Sequence, residues 1–93
     1  MPVGLLTLEL HIPDAQSLKD KRQVVRGLKD RIRERVKAAV AEVDHQDLWQ
    51  RAALGVAVVA PDGGHVHELL QSVRKLVEQT YAAELTDWQE RLE

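Results

Sequence analysis

The length of 93 residues suits one domain with a thin core, since folding at this size removes only about 60 to 65% of the unfolded chain's surface from water. The absence of cysteine excludes a disulfide framework, a thiolate metal site and a cysteine nucleophile. A net charge of −2 argues against a nucleic-acid-binding protein that is basic over its whole surface.

The first predicted strand covers residues 3–12, because apolar and polar residues alternate there with a period of two. Ser17 and Asp20 have the spacing of a capping box, with Asp in place of the usual Glu or Gln, and predict a helix start. The apolar stripe that follows predicts a helix over about 18–34. Lys21 falls on that stripe, so we expect its stem to run along the sheet edge and its ammonium to reach the rim.

The rest of the chain predicts a hairpin, a second helix and a weak last strand. Two apolar segments, 36–43 and 48–60, are separated by turn-forming residues between Asp44 and Asp47. Residues 61–64 break the strand, and helical spacing returns over about 64–80. Residues 85–92 are polar and only loosely alternating, which predicts an edge strand with little burial.

This order of elements predicts an α+β, ferredoxin-like βαββαβ domain spanning residues 1–93. One four-stranded antiparallel sheet with both helices on the same side buries every apolar face, which no element can do alone. Right-handed crossovers and a tight hairpin between the second and third strands favour the sheet order 4-1-3-2.

The predicted topology brings three distant segments to one end of the sheet: residues 11–16, residues 17–22 and the turn at 44–50. One interpretation is a structural ion-pair cluster, in which Glu42, Asp44 or Asp47 pairs with Lys19, Lys21 or Arg22. The alternative is an anion or RNA site, since a helix N-terminus and clustered cations stabilise phosphate and a tryptophan can stack on a base. The candidate binding residues are Ser17, Lys19, Lys21, Arg22, Arg26 and Trp49, with Glu42, Asp47 and Gln50 in support.

Charge is distributed unevenly along the chain. Residues 19–37 hold nine of the 13 basic residues and three acids, which gives this segment a charge of +6 and the remainder −8. The basic helix face could follow RNA phosphates, although such a run is more commonly a solvated surface. The open side of the third strand carries small residues and no aromatic ring, which argues against base stacking on the sheet and favours a flat apolar surface for self-association.

The sequence contains no recognisable catalytic constellation, so we expect a protein that is not an enzyme and that uses no cofactor or metal. There is no Gly-rich phosphate loop, no Ser-His-Asp pattern and no nucleophile elbow. His65 and His67 lie two residues apart on a predicted helix, a poor spacing for shared metal binding. His11 and His45 could meet acids at the shared end, which leaves a small-anion or metal-dependent enzyme as a third hypothesis.

Residues 17–25 (SLKDKRQVV), 41–43 (AEV), 47–52 (DLWQRA) and 54–59 (LGVAVV) resemble the YlxP-like family of small bacterial proteins of unknown function. The resemblance extends over essentially the whole chain and implies a ferredoxin-like fold. Genes of this family often lie near those for ribosome-binding factor A and translation initiation factor 2, which implies a role in small-subunit assembly or translation. The chain departs from typical members at Gln89 and Arg91, where the last strand is usually more apolar.

The leading hypothesis is a cytoplasmic, non-enzymatic accessory protein that binds RNA or a ribosomal subunit through the basic first helix and the shared end. The runner-up is a homo-oligomeric interaction module without a nucleic-acid role, associating through the open sheet face or an edge strand. A membrane partner is not expected, because the apolar start of the chain is interrupted by Thr7 and Glu9 and falls short of the ~20 residues that a span needs.

Overall fold

The computed structural model describes residues 1–93, and its elements follow the predicted order. The elements are β1 (Val3–His11), α1 (Leu18–Val36), β2 (Ala39–Asp44), β3 (Arg51–Val59), α2 (Gly63–Glu78) and β4 (Glu84–Leu92). The four strands form one sheet in the order β2-β3-β1-β4, and all three strand pairs are antiparallel. This arrangement is the predicted 4-1-3-2 order counted from the opposite edge, so the predicted ferredoxin-like fold is confirmed.

The core lies between the sheet and the two helices, and it is aliphatic throughout. Alternate residues of β1 and β3 point toward the helices, where they meet the stripe of α1 and the matching stripe of α2. Twenty buried residues form a single cluster that contains no aromatic ring. The period-two and helical spacings of the sequence therefore mark the buried positions correctly.

The start of α1 is capped as its sequence predicts, with one difference in the partner of Asp20. Ser17 Oγ accepts a hydrogen bond from the backbone N–H of Asp20 at 3.0 Å. Asp20 Oδ2 accepts from the N–H of Gln16 at 3.0 Å, one residue before the position that a standard capping box uses. The helix ends at Val36 rather than 34, because Lys37 adopts the left-handed conformation (φ 53°) and its N–H bonds to the carbonyl of Arg33.

The strand boundaries differ most around the hairpin between β2 and β3. β2 begins at Ala39 rather than Val36, and β3 begins at Arg51 rather than Leu48. The connection at 45–50 is therefore longer than the predicted turn, and His45 takes a left-handed backbone (φ 61°) at its start. β4 forms an edge of the sheet and is exposed except at half-buried Leu85, which confirms the predicted weak final strand.

Neither helix combines the length and the apolar character that crossing a bilayer requires.

Candidate nucleic-acid interface

The start of α1 and the β2–β3 hairpin meet at one end of the sheet, and the buried side chain of Lys21 joins them. Lys21 Nζ donates to the carbonyl oxygens of His45 at 2.8 Å and Gln46 at 3.1 Å, and more weakly to that of Arg51 at 3.4 Å. Glu42 Oε2 lies 2.9 Å from the same nitrogen. That contact is close but not aligned as a hydrogen bond, and this buried oxygen has no hydrogen-bond partner. The juxtaposition of residues 17–22 with the hairpin is therefore as predicted.

The predicted rim position of the Lys21 ammonium needs correction, because the side chain is fully buried. Its positive charge is taken up by oxygens of the chain itself, so Lys21 cannot meet an external anion. The Ser17 hydroxyl is also used within the chain, since it caps the helix by accepting from the backbone N–H of Asp20. The Asp20 carboxylate lies at the same helix end and accepts from the N–H of Gln16. The helix N-terminus thus carries its own anion, which disfavours a phosphate at this position.

The three predicted supporting residues differ in their contacts. Glu42 pairs with Lys21, as the ion-pair interpretation proposed. Gln50 Nε2 donates to the carbonyls of Pro13 and Ala15, both at 3.1 Å, and so ties the hairpin to the loop between β1 and α1. Asp47 is exposed and makes no hydrogen bond or ion pair within the chain.

One side of α1 carries a basic stripe, which consists of Lys19, Arg22, Arg26, Lys29 and Arg33. These positions alternate steps of three and four residues, so at 100° per residue they share an arc of about 80° and span about 21 Å. All are exposed except half-buried Lys29. Only Arg33 is engaged, since it contacts Asp30 at 3.7 Å and donates to the carbonyl of Val40 at 3.0 Å. The other four cations have no carboxylate within ion-pair distance.

Trp49 borders an open cleft at the hairpin end of the sheet. The cleft has a volume of ≈ 700 Å³ and is lined by His11, Asp47, Leu48, Trp49, Gln50 and Arg51. Trp49 is 54% exposed, and Tyr81, in the loop that leads into β4 at the same end, is 98% exposed. Arg51 and Tyr81 were not among the predicted site residues, because strand periodicity and loop composition do not indicate which side chains a hairpin leaves uncovered.

A small polar cluster covers the hairpin end of the sheet side that faces away from the helices, here called the open face. His45 Nε2 lies 3.1 Å from Glu9 Oε2 and 3.1 Å from an Arg51 guanidinium nitrogen. A ring nitrogen either donates or accepts, so one protonation state can satisfy Glu9 or Arg51 but not both. The only signal for this cluster in the sequence is the turn at residues 44–47, which does not reveal that His45 folds back over the sheet.

The rest of the open face is apolar along β1, β3 and β2. A shallow groove of ≈ 340 Å³ crosses it, lined mainly by small aliphatic residues and by Thr7. Leu5, Ala57 and Ala39 are neighbours across the three strands, and Val43 lies over Gly55. The sheet offers no aromatic side chain on these three strands, in keeping with the predicted absence of a base-stacking platform there.

No cluster of three or more His, Cys, Asp or Glu side chains is placed to hold a metal ion. His11 pairs with Glu84 at 3.3 Å, and His67 pairs with Glu90 at 2.7 Å. Three of the four histidines thus contact different carboxylates, and the arrangement does not bring them to a common centre.

Comparison with known proteins identifies the family of the chain. A family model described as "Protein of unknown function (DUF503)" matches residues 3–90. The chain is 32% identical over 76 residues to the "Uncharacterized protein YlxP" of Bacillus subtilis (strain 168), a match that covers 82% of the chain and 83% of the relative. The chain belongs to the DUF503 family, in agreement with its resemblance to YlxP-like proteins.

Replacing Lys21 tests whether this residue is structural. Lys21→Met removes the only cation beside Glu42 and leaves two loop carbonyls without their donor, so we expect a loss of about 3 to 5 kcal/mol in the free energy of unfolding. The measurement is urea denaturation followed by circular dichroism. The matched control, Lys19→Met, alters an exposed residue two positions earlier and should cost less than about 0.5 kcal/mol. Equal, small losses in both variants would contradict this role.

Proposed function

We propose that this member of the DUF503 family is a non-enzymatic accessory protein that binds RNA, free or within a ribosomal particle, through the basic stripe of α1. The observation that carries the proposal is the set of four stripe cations without an internal carboxylate partner. Cations that already form ion pairs gain little from a phosphate, whereas free ones release condensed counterions when RNA binds. Four such cations aligned along one side of α1 suit a polyanion.

The surroundings of the stripe support an extended partner. Its span of about 21 Å along one side of α1 matches a ligand that carries negative charge at regular intervals. The three acids of α1 lie outside the arc, although Asp30 is only about 20° from its edge and contacts Arg33 at the far end. The stripe also begins at the hairpin end, where Trp49 is exposed. The gene neighbourhood of YlxP-like proteins implies a partner of the same class.

The salt dependence of RNA affinity tests the proposal. If four stripe cations each neutralise one phosphate of a single strand, the association constant should fall about 50-fold between 50 and 200 mM salt, because the logarithmic slope is about −0.7 per contact. The double variant Arg22→Gln/Arg26→Gln should halve that slope and weaken binding at low salt. Fluorescence anisotropy with a labelled single-stranded RNA gives both quantities.

The same helix provides a matched control. Arg31→Gln/Arg35→Gln removes the same charge from exposed positions outside the stripe, so the slope should change by much less. Equal changes in the two double variants would mean that only net charge matters, and no binding at 50 mM salt would end the RNA proposal.

Self-association through the open face is a second candidate function, favoured by the apolar groove along β1, β3 and β2. In such a dimer, the open face of a second copy of the chain packs on the groove and buries the small aliphatic residues that a monomer exposes to water. Such an interface needs no nucleic acid. It should also be indifferent to salt or strengthen with it, in contrast to phosphate binding.

A charge placed in the groove tests the second candidate. Ala57 lies between Leu5 and Ala39 across the strands, so Ala57→Glu would bury a carboxylate in an apolar interface and should convert a dimer to monomer. Sedimentation equilibrium of both proteins measures the change. Gln23→Glu adds the same charge on exposed α1 and should leave the dimer intact. A wild-type protein that stays monomeric at high concentration would refute the self-association proposal.

A further inference from the structure

The cleft beside Trp49 is open to solvent, and its volume is comparable to that of small-molecule sites. Its volume of ≈ 700 Å³ lies within the range of about 300 to 1,000 Å³ that is typical of ligand sites. Its walls come from the hairpin and from the end of β1. Gln50 fixes the hairpin by donating to two carbonyls of the loop between β1 and α1. The buried Lys21 holds the hairpin from the other side. The cleft is therefore a supported feature of the fold and not a loose loop.

Trp49 provides a flat surface inside this cleft. Trp49 is 54% exposed, and its side chain forms no hydrogen bond to the rest of the chain. The other tryptophan, Trp88, is used differently, since the Arg74 guanidinium lies 4.6 Å from its ring centre. An uncovered indole beside polar side chains is the arrangement on which unpaired bases stack in proteins that bind single strands.

The polar groups next to Trp49 favour a ligand that donates hydrogen bonds. Asp47 has no partner within the chain, and its carboxylate can only accept. Gln50 uses Nε2 on the backbone, which leaves its carbonyl oxygen as the free end of the amide. Both free groups are acceptors, and a carboxylate is a suitable partner for the exocyclic amino group of cytosine.

Arg51 supplies the positive charge that a nucleotide backbone needs at the same place. Its guanidinium contacts His45, but no carboxylate lies within ion-pair distance of it. His11 of β1 pairs with Arg51 of β3 in the sheet register, and its ring contacts Glu84. The cleft thus combines a stacking surface, acceptors and one available cation.

We infer that this cleft binds one unpaired nucleobase that carries an exocyclic amino group, with cytosine as the simplest case. The base stacks on Trp49, its amino group donates to Asp47, and its phosphate lies toward Arg51. The inference rests on the proposed RNA binding by the basic stripe and deepens it, because it specifies a single strand and a base preference that the stripe alone does not give.

Two RNA octamers of equal charge, all-cytosine and all-uracil, provide the test, since the two bases differ at position 4 by an amino group against a carbonyl. The protein used is the full chain with Trp88→Phe, so that Trp49 is the only tryptophan and its fluorescence reports stacking. We expect quenching of Trp49 by the cytosine octamer and about tenfold tighter binding of it than of the uracil octamer.

Two further variants in the same background make the test specific. Asp47→Ala should reduce the tenfold preference to about one while keeping the affinity for uracil. Tyr81→Ala, which removes an exposed ring at the same end but outside the cleft, should leave the preference unchanged. Equal binding of both octamers without quenching would overturn the inference and leave the RNA proposal standing. Failure of both octamers to bind would refute the proposed function itself.

Discussion

The arrangement of this domain depends on one buried ammonium group. Lys21 lies on the apolar stripe of α1, yet Nζ is surrounded by oxygens that come from β2, the hairpin and the first residue of β3. An isolated charge could not be buried in this way, since the loss of hydration is offset only when partners surround it. The hairpin must therefore adopt the conformation that turns its carbonyls inward, and the left-handed backbone of His45 is part of that conformation.

This constraint divides the basic residues of the first helix into two groups with different roles. Lys21 is used within the fold, and Arg33 is bound to the edge of β2. The remaining stripe cations have no internal partner, and the hairpin held by Lys21 presents Trp49 and Asp47 to solvent. Only the basic residues without an internal partner are free to bind another molecule. The number of basic residues in the α1 sequence is therefore larger than the number that is free.

Much of the fold could be predicted from the sequence because its signals are local. Period-two alternation indicates β1, and the Ser17 cap with the apolar stripe indicates α1. The predicted end of α1 at residue 34 is two residues short, because Val36 suits a strand while Lys37 closes the helix with a left-handed backbone. The burial of Lys21 and the cleft could not be predicted, since their partners lie 21 to 30 positions further along the chain and depend on loop conformation.

The protection of the lysine ammonium groups from solvent exchange tests the central claim most directly. Exposed ammonium protons exchange rapidly with water, whereas a buried, hydrogen-bonded group is shielded until the structure opens. In ¹⁵N-labelled protein at neutral pH, one of the five lysines should give a persistent ammonium resonance, with nuclear Overhauser contacts to residues 45 and 46. Rapid exchange at all five lysines would show that Lys21 is not the internal link between α1 and the hairpin.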